Sequence, residues 1–334
     1  MYTHQILKGV DCLISKQREI PLRIKKNEAL LRRISQNDPK RPLIEEDLGR
    51  RIAGHRGELS LDYHVSLLPK DNLFSFYNLR LPLDEAFFQI DTLLITPNFL
   101  FIIEAKNFSG TLFFDRSFNQ LIRKSADKEE GFLDPITQVK RQKQQLLTWL
   151  RNLKYPTIPI ECLVTISNPS TIIKADPEYR KEVKQMVIHV EELNDRYTSF
   201  QKRHTTQVLD QKKIKKLINM FRKQHTSSDP DILSSYAIPQ GSVITGVQCP
   251  QCYHIPMTRV YAKWSCPKCR CTSRNAHEEA ILDYFLLLSS CISNKECRSF
   301  LHLDSDMTAY RMLSKMNLSH NGKTNGRVYY SPFI

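Results

Sequence analysis

Apolar positions along the chain change period several times. Residues 16–34 space Ile20, Ile24, Leu31 and Ile34 among charges, as an amphipathic basic helix does, and Pro39 and Pro42 break the pattern. A second helix is predicted over 45–59. From Leu59 the spacing shortens to two, and 60–68, 86–96, 99–106 and 111–115 read as strands bounded by turn residues. The charged stretch 116–131 reads as a loop before a long helix over 134–153. Residues 161–166 and 185–190 read as buried strands, and 191–201 and 207–224 as helices. Helices flanking a mixed sheet make an α/β domain. Ser, Asp, Pro and Gly punctuate 225–246, which reads as a linker. The expected division is a basic helical segment at 1–44, an α/β domain at 45–224, the linker at 225–246, a cysteine-rich module at 247–275 and a helical module at 276–334.

Composition narrows the class. The 334 residues are 41% hydrophobic and 25% charged, enough for a sizeable core and too apolar for wholesale disorder. Lysine and arginine number 49 against 35 acids, a net charge of +14, which points to a polyanionic partner. The run from Lys202 to Lys223 carries eight cations and only Asp210 as an acid. No apolar run reaches the length of a membrane span, and residues 1–10 lack the apolar centre of a signal peptide. Five of the nine cysteines fall between Cys249 and Cys271, unlike a secreted disulfide framework. A soluble, cytoplasmic protein with no membrane association is expected.

The densest chemistry lies in Phe87 to Lys106. Two apolar strands flank Pro97-Asn98, which reads as a turn. A hairpin centred between those two residues sets Asp91 opposite Glu104 and Gln89 opposite Lys106, all on one face. Proline suits a primed two-residue turn poorly, but a four-residue loop with the same centre keeps the alignment. Facing carboxylates repel, and a cation between them offsets the cost. Oxygen ligands on a rigid sheet suit Mg²⁺ or Mn²⁺. Lys106 would then orient water or offset charge on a scissile phosphate. The competing account is a solvated face of an edge hairpin; apolar flanks on both faces weigh against it, since burying unpaired charge is costly.

Asp91 followed by Glu104-Ala105-Lys106 on the next strand resembles the D…(D/E)-x-K core of the restriction-endonuclease-like PD-(D/E)xK superfamily, and more narrowly the nuclease-related domain, NERD. Gly57-Glu58 matches that family's G-E element. Asp134-Pro135-Ile136-Thr137-Gln138 matches its N-P-x-x-Q element, with Asp134 in place of the usual Asn. The strand ending in Ser167-Asn168-Pro169 matches its S-N-P. The resemblance covers about 45–174. It implies a restriction-endonuclease-like mixed sheet flanked by helices, Glu58 as an additional acidic residue and Gln138 directed back toward the metal.

Two modules follow. Cys249-Pro250-Gln251-Cys252 and Cys266-Pro267-Lys268-Cys269 are knuckles with 13 residues between, the spacing of a structural Zn²⁺ site, and the stretch looks like a zinc ribbon. Cys271 is a competing fourth ligand. Arg259, Lys263, Lys268, Arg270 and Arg274 surround the cysteines, either to meet nucleic acid or as a solvated rim. Ser293-Asn294-Lys295-Glu296 carries a capping-box pattern. Helix, turn, helix and a Gly/Lys-rich hairpin then resemble a winged helix-turn-helix, in which Lys323 and Arg327 would touch phosphates; the alternative is a dimerisation or protein-docking module.

The expected function is Mg²⁺-dependent hydrolysis of phosphodiester bonds in DNA. Glu58, Asp91, Glu104, Lys106 and Gln138 would form the site, with Lys263, Lys323 and Arg327 on the nucleic acid and protein partners in DNA processing. The alternatives are a non-catalytic DNA-binding or regulatory protein that keeps the nuclease fold, and a scaffold whose basic surface meets acidic proteins.

Overall fold

The computed structural model describes residues 14–16, 18–126, 128–323 and 326–333. In chain order the elements begin with β1 (Ile14–Lys16), α1 (Leu22–Arg33), α2 (Arg41–Ser66), β2 (Phe74–Leu83), β3 (Ala86–Ile95), β4 (Leu100–Lys106), β5 (Thr111–Asp115), β6 (Gln120–Lys124) and β7 (Glu129–Leu133). Then come α3 (Pro135–Asn152), β8 (Ile160–Ile166), β9 (Ile172–Ala175), α4 (Arg180–Met186), β10 (Val187–His189), α5 (Leu193–Arg203), α6 (Gln211–Gln224) and α7 (Ile232–Ser235). The last are β11 (Thr258–Val260), β12 (Lys263–Ser265), β13 (Thr272–Ser273), α8 (Ala276–Leu287), β14 (Cys291–Ser293), α9 (Asn294–Leu301), α10 (Asp306–Lys315), β15 (His320–Asn321) and β16 (Val328–Tyr330). The described residues form two compact units, one of those within 1–19 and 53–227 and one of those within 20–52 and 228–334.

The first unit is built on a six-stranded mixed sheet in the order β1-β2-β3-β4-β8-β10. β2, β3 and β4 run as an antiparallel meander, while β4, β8 and β10 are parallel. Alternation along the central strands fills both faces. Leu100 and Ile102 of β4 enter a core with Val139, Leu146 and Trp149 of α3 and Phe221 of α6. Phe101 and Ile103 enter the opposite core with Leu61 and Val65 of α2 and Tyr197 and Phe200 of α5. Trp149 stacks on Phe221 with ring centroids 5.1 Å apart.

Two predicted segments are corrected. Residues 60–68 are not a strand, because α2 continues to Ser66. Leu59, Leu61, Tyr63, Val65 and Leu67 do alternate by two, but Leu61, Val65 and Leu68 also share a helical face. Burial follows the helical set, leaving Leu59, Tyr63 and Leu67 about half exposed or more. Residues 116–131 are not a loop. They contain β6 and most of β7, joined with β5 and β9 in a four-stranded sheet of order β7-β6-β5-β9. Its charges are cross-strand partners: Arg123 faces Glu130 at 3.6 Å and Lys124 faces Glu129 at 3.2 Å. At the amino end, α1 starts at Leu22 rather than residue 16, with Pro21 at its N-cap.

The second unit joins α1 to the carboxyl-terminal half. Residues 225–246 contain α7, and Ile232, Leu233, Tyr236, Ile238 and Val243 are buried with Ala29, Leu30 and Ile44. At its centre Arg33 is fully buried and pairs with Asp283 of α8 at 2.8 Å; Arg32 reaches the same carboxylate at 2.6 Å. Arg33 also donates to the Gly246 carbonyl at 2.6 Å and lies over the Phe300 ring. A three-stranded sheet β11-β12-β13 follows the first pair of cysteines, and a second, β14-β16-β15, closes around α8, α9 and α10. The capping box on α9 is formed, with Ser293 and Glu296 each accepting from the other's backbone N–H.

Removing one partner of a buried ion pair strands the other. Asp283→Ala is therefore expected to destabilise the second unit by about 3–5 kcal/mol, measured by urea denaturation of the full chain. A change below 1 kcal/mol would show that Arg33 is satisfied without it.

Candidate active site

The turn between β3 and β4 is the four-residue loop from Thr96 to Phe99. The Thr96 hydroxyl donates to the Phe99 carbonyl at 2.7 Å and accepts from the Phe99 and Asn98 amides. Pro97 thereby sits outside the ladder, where its missing N–H costs nothing. The strands pair Ile95 with Leu100, Leu94 with Phe101, Leu93 with Ile102 and Thr92 with Ile103. One step further along this register lie Asp91 and Glu104.

The two acids are differently housed. Glu104 is 2% exposed and its carboxylate accepts from three side chains. Lys106 Nζ and Gln138 Nε2 both donate to Oε1 at 2.7 Å, and Gln142 Nε2 donates to Oε2 at 3.0 Å. The Gln138 carbonyl oxygen accepts from Lys106 Nζ at 3.1 Å, closing a three-membered ring of contacts. Among the described residues no amide or ammonium side chain donates to the Asp91 carboxyl, whose side-chain hydrogen-bond partner is Glu104. Desolvation pushes the Asp91 carboxyl well above the usual carboxylate range, the charges of Glu104 and Glu58 push it further, and Lys106 only partly opposes them. Three carboxylates thus feel one another across β3, β4 and α2.

Each element has a local reason to present its residue. Asp134 caps α3: its Oδ1 accepts from the Ile136 amide at 2.9 Å, and its Oδ2 from the Tyr179 hydroxyl at 2.6 Å and the Thr137 hydroxyl at 3.2 Å. All three contacts need an acceptor only, so aspartate serves at the position usually held by asparagine. The cap starts α3 so that Gln138 and, one turn on, Gln142 face Glu104. Gln142 falls outside the motif pattern, and only its i+4 spacing from Gln138 signals it. On α2, Gly57 permits close approach. A Cβ there would stand 2.5 Å from the Asn107 Cβ, and the Gly57 carbonyl accepts from the Ser167 hydroxyl at 3.0 Å. The Asn107 side chain donates to the Ala53 carbonyl at 2.7 Å. This contact draws Glu58 to the sheet. Its Oε2 lies 2.6 Å from Arg18 Nη1 and 3.7 Å from His55 Nδ1.

The cysteine cluster lies in the second unit. The sulfurs of Cys249, Cys252, Cys266 and Cys269 all lie within 4.8 Å of one another, a group fit to bind zinc and compatible with a zinc ribbon. The knuckles are alike. Tyr253 and Arg270, each following the second cysteine, are left-handed and donate back to the carbonyls of Cys249 and Cys266. Burial opposes ionisation of Cys249, but the Cys252 and Gln251 amides outweigh it and bring the thiol down to about 6. Cys271 stands outside the group, 3.9 Å from the Thr272 carbonyl. Of the other predicted residues, Lys263 and Lys323 are exposed, while Arg327 is half-buried over the Tyr310 ring. Arg259 packs over Trp264 instead of facing solvent.

Gly54 and Gly57 make an internal comparison on α2. A methyl at Gly54 meets nothing within 4 Å, so Gly54→Ala is expected to raise stability by about 0.5–1 kcal/mol through helix propensity. Gly57→Ala must displace Asn107 and is expected to lower it by about 1–3 kcal/mol. Urea midpoints of the two variants test this; equal gains would mean that α2 has room to move.

Residues 53–167 match the family model of the nuclease-related domain. Neither the curated proteins nor the solved structures gave a match. The matched stretch runs from the α2 segment carrying Gly57 and Glu58, through Asp91, Glu104, Lys106 and Gln138, to Ser167 at the end of β8. The chain therefore carries a nuclease-related domain over residues 53–167.

Proposed function

We propose that the protein is a metal-dependent nuclease that hydrolyses phosphodiester bonds in DNA. The observation that carries this reading is Asp91 set beside a buried Glu104 that accepts from Lys106, Gln138 and Gln142 and keeps acceptor capacity on Oε2. Paired oxygen donors of this kind fit Mg²⁺ or Mn²⁺, and Asp91 and Glu104 would hold the ion. Once bound, such an ion polarises a phosphoryl oxygen and acidifies water. Lys106, fixed by Glu104 and Gln138, would orient the attacking water or offset charge developing on the phosphate. Gln138 keeps that ammonium in place, and Glu58 adds a third carboxylate.

The second unit would hold the substrate. α8, β14, α9, α10, β15 and β16, with the sheet order β14-β16-β15, follow the order of a winged helix. α10 offers exposed Arg311 and Lys315, and Lys323 is exposed in the turn between β15 and β16. Arg327 would support that turn and meet phosphate from its edge. Zn²⁺ on the four cysteines would stabilise the hairpin bearing Lys263. Among the described residues no cysteine is in a disulfide and no helix is long and apolar enough to cross a membrane. Work in the cytoplasm, beside protein partners in DNA processing, completes this reading.

Incubating plasmid and single-stranded DNA with Mg²⁺ or Mn²⁺ tests the reading. Wild type is expected to cleave, and Asp91→Ala and Lys106→Ala to lose activity by about 100-fold or more. Equal products from all three would refute it; salt-dependent binding without cleavage would favour the non-catalytic alternative. For the ribbon, elemental analysis is expected to find one zinc per chain, absent in Cys266→Ser and retained in Cys271→Ser. The reverse pattern would make Cys271 the ligand.

A further inference from the structure

Arg18 lies before the matched domain, yet its side chain is 2% exposed at the edge of the carboxylate cluster. Its guanidinium is fully used. Nε and Nη2 grip Asp62 at 2.7 and 3.0 Å, a bidentate pair. Nη1 donates to Glu58 Oε2 at 2.6 Å and to Asn78 Oδ1 at 3.1 Å. Nη2 also reaches the Thr92 hydroxyl at 2.9 Å and the Asp91 carbonyl at 3.3 Å. The plane rests on the Tyr77 ring. Every N–H has an acceptor, so the group is built in; a displaceable counter-ion would not be tied at six points.

The backbone beside it is shaped to match. β2 and β3 pair Tyr77 with Thr92 and Leu79 with Ile90, but the pair between them is missing. Asn78, which would face Asp91, is left-handed with φ 51°. The interruption brings the Asn78 side chain to Arg18 and lets the Asp91 carbonyl accept from it. Arg18 thus holds, at once, the backbone of one metal-site acid and the side chain of another. It takes only Oε2 of Glu58; among the described residues Oε1 has no partner.

We infer that Arg18 is a positioning residue of the metal centre: by fixing Glu58 and the Asp91 backbone to each other, it sets the site's affinity for a divalent cation. The inference rests on the nuclease reading of Asp91 and Glu104, and extends that site to a segment before the nuclease-related domain.

Calorimetric titration of the zinc-loaded full chain with Mn²⁺ tests it without any cleavage assay. Wild type is expected to bind one Mn²⁺ that Asp91→Ala abolishes. Arg18→Gln is expected to weaken binding at least tenfold, and Arg18→Lys, with fewer donors and no fork, to recover part of the loss. Equal or tighter binding by Arg18→Gln would overturn the inference while leaving the metal site standing; tighter binding would make Arg18 a competitor of the metal. No Mn²⁺ bound by wild type would overturn both. Should Arg18→Gln fail to fold, the cycle of Arg18→Lys with Glu58→Gln decides. If Arg18 acts through Glu58, the lysine change has little further effect once Glu58 is glutamine; fully additive losses in Mn²⁺ affinity would overturn the inference.

Discussion

Two carboxylates on adjacent strands cannot both ionise cheaply, and the β3–β4 register gives Asp91 and Glu104 no way to separate. Much of the first unit can be understood as a response to that repulsion. α3 supplies amides to Glu104, β4 supplies Lys106 two residues on, and α2 approaches through Gly57 to bring a third acid. Asp91 is left as the member that carries the strain, its carboxyl pushed up by desolvation and by its neighbours. A strongly perturbed acid beside charged partners makes a candidate functional centre.

How much of this was legible depends on how local each signal is. The hairpin register followed from Pro97-Asn98 and alternation, since both are decided within a few residues. The capping box at Ser293 and the cysteine knuckles were legible for the same reason. The segment 60–68 was not, because its apolar residues satisfy periods of two and of about three and a half together; only the presence of a sheet face for Leu61 and Val65 chooses the helix. Residues 116–131 hid two strands because Arg123, Lys124, Glu129 and Glu130 look like solvated loop charges until the strands pair them. In the site, the motif residues announced themselves, while Gln142 and Arg18 did not. Their partners are 38 and at least 40 positions away in the chain, and no local pattern encodes such a distance.

The second unit solves a related problem differently. Arg33 and Asp283, 250 positions apart, are both buried, and two arginines share one carboxylate. A pair of this kind adds less stability than an apolar contact of the same size would, but it penalises every alternative packing of α1 against α8. The cysteine knuckles act in the same sense, since four sulfurs aimed at one point leave the hairpin little freedom.

Gln138 and Gln142 have a consequence of their own. A buried carboxylate needs what water would have given it, and the usual substitutes are cations, which cancel its charge. Glu104 has one such cation, Lys106, but its other two partners are amides, which carry no charge. They supply hydration in solid form, dipoles already turned toward Glu104. The protein thereby keeps one acid dry and held in place, so that little reorganisation remains to be done when a charge of opposite sign arrives.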